Sequence, residues 1–167
     1  GALGRMGAEV IKAVVGATDC TLVGAVDNTP GKEGCDVGLE LGLGELEVAI
    51  TADFEGCLCA VSQSARDAQA GAVLVDFTHP SVVYEHTRAA IAYGVHPVIG
   101  TTGLSPEQLS DLTQFSAKAS IGGAVIPNFS VGMLLLQQAA AAAARFYDHA
   151  ELTELHHNRK ADAPSGT

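Results

Sequence analysis

The sequence predicts an α/β fold in which a parallel sheet carries helices on both faces. Three observations lead there. Short apolar runs of strand length alternate repeatedly with stretches of helical spacing. Asp53 and Ser105 stand as caps at the start of two helical stretches, and Gly16 and Gly94 close two others. No long repeat, proline-rich linker or charge run breaks the alternation. The composition changes only near residue 130, where an alanine-rich helix leads into a polar, histidine-rich end.

Taken in order, Arg5 to Val15 has helical spacing through Met6, Val10, Ile11 and Val14, and Gly16 ends it. Thr21 to Asp27 reads as a short buried strand. Residues 28–52 are rich in glycine and acids and read as loop with little regular structure. A helix follows from Asp53, a fair N-cap, to about Gln63. Val73 to Phe77 is a run of strand length, apolar apart from Asp76. His79-Pro80-Ser81 starts a helix that reaches Tyr93 and stops at Gly94. Val95 to Ile99 is the next strand, and the turn Gly100-Thr101-Thr102-Gly103 follows it. Ser105 caps another helix with Pro106 at its first position. Ala124 to Ile126 reads as a strand broken by Pro127, and Ser130 to about Phe146 as a long helix containing six consecutive alanines. Glu151 to His156 alternates like a strand.

Composition excludes several classes. With 47% hydrophobic and 17% charged residues over 167 positions, the chain is a folded globular protein rather than a disordered one. The mean hydropathy is positive, at +0.24. Its longest apolar run, Val131 to Ala144, is interrupted by Gln137 and Gln138 and falls short of the roughly 20 residues a membrane span needs, so it reads as a buried helix. No basic-then-apolar signal segment opens the sequence. A net charge of -10, from 19 acids against 9 bases, disfavours binding to a phosphate backbone. An anionic small ligand stays possible if a few cations are gathered locally. Cys20, Cys35, Cys57 and Cys59 show no metal-ligand spacing and read as small buried residues of a reducing cytoplasm.

The opening residues, Gly1-Ala2-Leu3-Gly4-Arg5-Met6-Gly7, directly precede a helix. Glycines let a backbone turn tightly and approach a pyrophosphate, whose charge sits at the helix N-terminus. The spacing is G-x-x-G-x-x-G rather than the commoner G-x-G-x-x-G, and a glycine-rich helix start without a ligand fits this piece alone equally well. Asp27, twenty residues beyond Gly7 at the end of a predicted strand, adds weight, because such folds place an acid there for the ribose hydroxyls. Together they give a Rossmann-like, doubly wound sheet. With no Arg or Lys after Asp27 until Lys32, the expectation is NADH preferred over NADPH, or tolerance of both. Arg5 or Lys32 reaching a 2'-phosphate is the competing reading. A dinucleotide fold also needs a strand feeding the turn, and none is present before Gly1, so the chain is expected to be a fragment.

The last stretch runs Glu154-Leu155-His156-His157-Asn158-Arg159-Lys160-Ala161-Asp162-Ala163-Pro164-Ser165-Gly166-Thr167. Two histidines, an arginine and a lysine fall within five residues of an otherwise acidic chain, giving the local focus of cations. Adjacent histidines on a strand face opposite sides and so take different jobs. Ser165-Gly166-Thr167 offers amides and hydroxyls for a carboxylate, and Lys160 suits a second carboxylate or a proton transfer. A solvated surface turn or a metal site are the other readings, the latter with only Asp162 and Glu154 near as partners.

With these pieces in view the chain resembles the 4-hydroxy-tetrahydrodipicolinate reductase (dihydrodipicolinate reductase) family of lysine and diaminopimelate biosynthesis. The matching pieces are Gly-Ala-x-Gly-Arg-Met-Gly at 1–7, Val-Asp-Phe-Thr-x-Pro at 75–80, Gly-Thr-Thr-Gly at 100–103 and Pro-Asn-Phe-Ser-Val-Gly at 127–132. The fifth, Glu-x-His-His-x-x-Lys-x-Asp-Ala-Pro-Ser-Gly-Thr at 154–167, is the most specific. The resemblance implies a phosphate turn at Gly1, Ala2, Gly4, Arg5 and Met6, a ribose acid at Asp27, and nicotinamide-side contacts at Gly100, Thr101, Thr102, Asn128 and Phe129. It implies that His156 is the catalytic donor and acceptor, that Lys160 gives the proton, and that His157, Gly166 and Thr167 bind substrate. The cofactor implied is NADH or NADPH, the substrate a small dicarboxylate, the location cytoplasmic, and the full-length assembly a homotetramer. It further implies a dinucleotide-binding domain over 1–129 lacking its first strand, then the incomplete start of an α+β substrate domain over 130–167. Two other functions share the fold: a nicotinamide dehydrogenase acting on another small acid, and a non-catalytic Rossmann-like binding module.

Overall fold

The structure, a computed structural model, describes residues 1–126, 128–151, 153 and 155. The chain divides into two compact units, Gly1–Val125 and Ile126–Thr167. The first unit contains α1 (Arg5–Gly16), β1 (Ala25–Val26), α2 (Val37–Glu40), β2 (Ile50–Thr51), α3 (Phe54–Asp67), β3 (Val73–Asp76), α4 (Val83–Ala92), β4 (His96–Ile99), α5 (Pro106–Ala119) and β5 (Ala124–Val125). The second contains α6 (Val131–Ala143).

Every strand ladder is parallel, as expected when helices intervene between successive strands. The strands form two sheets among the described residues, one ordered β1-β2 and one β3-β4-β5. Val73 lies opposite His96, and Asp76 opposite Ile99, so β3 and β4 end together. Among the described residues β1 and β3 each pair on one side only.

Two apolar clusters hold this unit together, because each helix buries one stripe against its neighbouring strands. Ile11, Ala25, Val37 and Ile50 join α1, β1, α2 and β2. Leu58, Ala72, Ala90 and Val95 join α3 and α4 to the strand starts below them. Complete burial of a Val, Leu or Ile stabilises by about 1.5–3 kcal/mol, so a handful of such residues anchors each cluster.

Most predicted elements are found, with instructive differences. The strand expected over 21–27 is reduced to Ala25–Val26. The 28–52 stretch is not featureless loop, since α2 and β2 lie in it. Asp36 organises it: Oδ1 accepts from Leu39 N (2.9 Å), and the carboxylate also accepts from Leu46 N (3.2 Å) and Val48 N (3.1 Å). One acid thus satisfies three backbone donors and pulls Val37 into the core. Asp53 caps α3 as expected, accepting from Gly56 N at 2.9 Å. α4 begins at Val83 rather than Pro80, because Val82 N and Val83 N both fold back on His79 O (3.1 and 3.2 Å) in a turn that precedes the helix. Gly94, at φ +76°, ends the segment in the left-handed region. Ser105 and Gln108 form a reciprocal capping box on α5.

Two expectations fail. The apolar run that reads as a buried helix forms α6, which has no buried residue, and Leu134, Leu135 and Leu136 are exposed. Its apolar positions run around the helix rather than along one stripe. The cysteines are not buried either: Cys20 and Cys59 are exposed, Cys35 and Cys57 half-buried, and all four are free. Among the described residues no helix is long and apolar enough to cross a membrane. The strand expected over Glu151 to His156 lies largely outside the described residues.

Candidate dinucleotide site

Three loops meet at the C-terminal ends of β1, β3 and β4, the edge where open α/β sheets hold ligands. The first is the glycine turn. Gly1 N and Ala2 N both donate to Val26 O, at 2.8 and 3.1 Å, and Gly4 N donates to Gly1 O at 3.2 Å. The turn is too tight for side chains: a Cβ on Gly7 would lie 2.0 Å from Gly1 O and 2.9 Å from Ala2 O, both backbone atoms. A Cβ on Gly1 would lie 2.5 Å from Phe77 O, which places the turn directly beside the loop after β3.

α1 leaves this turn with Gly4 at its N-cap. Among the described residues no side chain caps it, and no acid stands in its first turn. The first amides of a helix have no helical acceptor, so here they are left for something outside the helix, at its positive end. A backbone cradle that excludes Cβ atoms and an uncapped helix N-terminus together fit a pyrophosphate.

Asp27 follows β1. Its Oδ2 accepts from Leu3 N (2.9 Å), joining it to the glycine turn, while Oδ1 accepts from Thr29 N (2.9 Å) and Thr29 Oγ1 (2.6 Å). Partial burial pulls its carboxyl upward, but the Thr29 hydroxyl and the Leu3 and Thr29 amides outweigh it and hold the group below the ordinary carboxylate range. Asp27 is therefore an ionised acceptor at neutral pH, suited to a ribose diol. Lys32 is turned away to an ion pair with Glu40 of α2.

The second and third loops, Phe77–Pro80 and Gly100–Gly103, are packed on one another. A Cβ on Gly100 would meet the Phe77 ring at 2.2 Å, and one on Gly103 would meet Pro80 Cβ at 2.6 Å. Gly103 also sits at φ +101°, where side chains are strained. Thr101 is 8% exposed, and its Oγ1 donates to Asp76 Oδ1 (2.6 Å) while accepting from Thr78 N (2.8 Å). Thr102 is half-buried.

The structure thus brings Gly1, Ala2, Gly4, Asp27, Gly100, Thr101 and Thr102 to one edge of the first unit, with Arg5 and Met6 opening α1. Asn128 and Phe129 belong to the second unit, before α6, where Asn128 Oδ1 accepts from Ser130 N at 2.8 Å. His156, His157, Lys160, Gly166 and Thr167 lie outside the described residues. Sequence reasoning gives no role to Asp76 or His86. Asp76 is only 2% exposed, and four donors surround it: Thr78 N, Thr78 Oγ1, Thr101 Oγ1 and His86 Nδ1 (2.9, 2.7, 2.6 and 3.0 Å). The available signal is an acid within the otherwise apolar run Val73 to Phe77, which buries only if paired.

Fold and turn together define the first unit as a Rossmann-like α/β unit. The WlbA dehydrogenase of Thermus thermophilus, solved with NAD and alpha-ketoglutarate, shares that fold at a TM-score of 0.65 and 18% identity, over 85% of this chain and 45% of its own. Residues 1–129 match the N-terminal region of dihydrodipicolinate reductase, and residues 132–167 its C-terminal region. The chain belongs to the dihydrodipicolinate reductase family. The 4-hydroxy-tetrahydrodipicolinate reductases of Synechococcus sp. (strain CC9605) and Parasynechococcus marenigrum (strain WH8102) are each 92% identical to it over 167 residues. The whole chain is covered in both matches and spans 60% of each relative. The dipicolinate-bound dihydrodipicolinate reductase of Paenisporosarcina sp. TG-14 superimposes at a TM-score of 0.72 with 32% identity, covering 99% of this chain and 59% of that one.

Proposed function

We propose that this chain is the cofactor-binding part, together with the catalytic run, of an enzyme that reduces 4-hydroxy-tetrahydrodipicolinate to tetrahydrodipicolinate with NADH or NADPH, a hydride and a proton being added with net loss of the hydroxyl as water. One observation carries the proposal: the glycine turn presents an uncapped α1 N-terminus beside an ionised Asp27. The relatives at 92% identity support the substrate, and the Paenisporosarcina enzyme's bound dipicolinate supports a small dicarboxylate. The proposed division is a dinucleotide domain over 1–129 and the start of a substrate domain from 130.

When bound, the reduced nicotinamide supplies a hydride. Gly1, Ala2 and Gly4 shape the turn against which the pyrophosphate rests, Arg5 and Met6 offer it the first amides of α1, and Asp27 accepts from the ribose hydroxyls. Gly100, Thr101, Thr102, Asn128 and Phe129 serve the nicotinamide side. His157, Gly166 and Thr167 bind the substrate's carboxylates. Reduction of a conjugated, imine-like ring leaves electron density that an acid must quench. His156, able to titrate near neutral pH, and Lys160, adding positive potential, fill that role.

Asp27 accepts hydroxyl protons well and repels a 2'-phosphate, and Lys32 is held by Glu40, so the Michaelis constant for NADH should be the lower of the two. A strong preference for NADPH would refute that part. The test of the whole reading is the full-length enzyme with the substrate, following NADH absorbance. Oxidation of NADH dependent on that substrate is expected. Tight NADH binding with no turnover would instead favour the non-catalytic module.

A further inference from the structure

We infer that Asp76 is a positioning residue for the dinucleotide site: its buried carboxylate latches the Phe77–Pro80 loop to the Gly100–Gly103 turn, so that Thr101 serves the cofactor through loop placement and not through its own hydroxyl. The inference rests on the dinucleotide reading given above.

The strand ladder fixes the ends of β3 and β4 and goes one step further, with Gly100 N donating to Asp76 O at 2.9 Å. Beyond that point backbone pairing stops, and side chains take over. Asp76 Oδ1 accepts from Thr78 N, Thr78 Oγ1 and Thr101 Oγ1, drawing the two loops onto one oxygen. A hydroxyl has one proton and two lone pairs. Thr101 gives the proton to Asp76 and takes Thr78 N on a lone pair, so it bridges the loops from inside, almost out of solvent. An ionised carboxylate only accepts, so His86 Nδ1 carries the proton that it shares with Asp76 Oδ2. His86 comes from α4, its ring lies tilted against that of Phe54 with centroids 4.2 Å apart, and it holds the carboxylate oxygen that the loop donors leave.

What this latch holds is the piece on which the site is assembled. The Phe77 carbonyl abuts Gly1, and the Phe77 ring abuts Gly100. A displacement of Phe77 therefore moves the phosphate turn and the Gly-Thr-Thr-Gly turn relative to each other. A role in stability alone would lower the melting temperature and leave the cofactor affinity of the folded protein untouched, whereas a positioning role moves affinity as well.

The experiment is titration of NADH into the full-length reductase, by nucleotide fluorescence, well below the melting temperature. Thr101→Val removes the bridging hydroxyl with little change of shape, and Asp76→Ala removes the latch. Each is expected to raise the NADH dissociation constant by about tenfold, the scale of one buried hydrogen bond. Thr101→Ser and Asp76→Asn keep the bridging or accepting oxygen and should recover most of the affinity. Leu112→Ala, at the buried position of α5, should lower the melting temperature without changing NADH affinity. If Asp76→Ala does not fold, the Val and Ser variants of Thr101 decide alone. Wild-type affinity in folded Thr101→Val, or no recovery in Thr101→Ser, overturns the inference, as does a loss of affinity in Leu112→Ala that tracks its melting temperature. A wild-type enzyme that binds neither NADH nor NADPH overturns the dinucleotide reading itself, which these variants do not test.

Discussion

Replacing Asp76 by Asn should flatten a specific part of the enzyme's acid denaturation. Burial pushes this carboxyl upward, but the donors from His86, Thr101 and Thr78 outweigh it and bring the pKa from its ordinary 3.8 down to about 2. The depression is close to two units, and at about 1.36 kcal/mol per unit it corresponds to about 2 kcal/mol of stability. With Asp76 at 2% exposure, solvent screens that contribution little. Because the folded-state value is the lower one, the unfolded chain takes up the proton first as the pH falls. The stabilisation is therefore complete above 3.8 and lost as the pH drops through about 2. The amide introduced by Asp76→Asn keeps one accepting oxygen for Thr78 and Thr101 and has no proton to gain. Urea midpoints of the full-length enzyme and of Asp76→Asn, followed from neutral pH to about 2, should converge by about 2 kcal/mol across that window. Asp27, Asp36 and Glu107 are also held low by their partners, but both proteins contain them and the difference cancels them. Parallel curves, or a gap that widens toward acid, would refute the reasoning.

Other outcomes follow from single contacts. Gly7→Ala places a Cβ 2.0 Å from Gly1 O, so the phosphate turn must open; NADH affinity should fall by about tenfold or more, measured by titration. Ser105→Ala removes the α5 capping box and should cost about 1 kcal/mol, read as a lower urea midpoint with cofactor affinity retained. His156→Ala and Lys160→Ala in the full-length enzyme should each lower turnover far more than they weaken NADH binding, and equal losses in steady-state and binding assays would count against their roles.

The site is only partly readable from sequence. Gly1, Gly4 and Gly7 stand out because a turn that excludes Cβ atoms leaves glycine in the chain, and Asp27 because a strand end fixes its place. The Gly-Thr-Thr-Gly turn stands out too, but not the use made of Thr101. Nothing local distinguishes a threonine that faces a ligand from one whose hydroxyl bridges two loops; that depends on Thr78 and Asp76, each more than twenty residues away. The Asp36 hub escapes notice for a related reason. Glycines and acids at 28–52 look like open loop until one carboxylate is seen to collect donors from ten and twelve residues downstream.

The sequence alone determined the alternation of strands and helices outside residues 28–52, their parallel pairing, the caps of α3 and α5 and the family, because these depend on periodicity, on backbone-permissive residues and on short motifs read along the chain. Only the tertiary structure decided which strands pair, how far each strand extends, that the α6 leucines are exposed, and that a buried carboxylate at the end of β3 ties two loops together. The physical reason is distance. Local conformational preferences act over a few residues and are written in consecutive positions, whereas burial and hydrogen-bond satisfaction are settled between segments that meet only when the chain has folded.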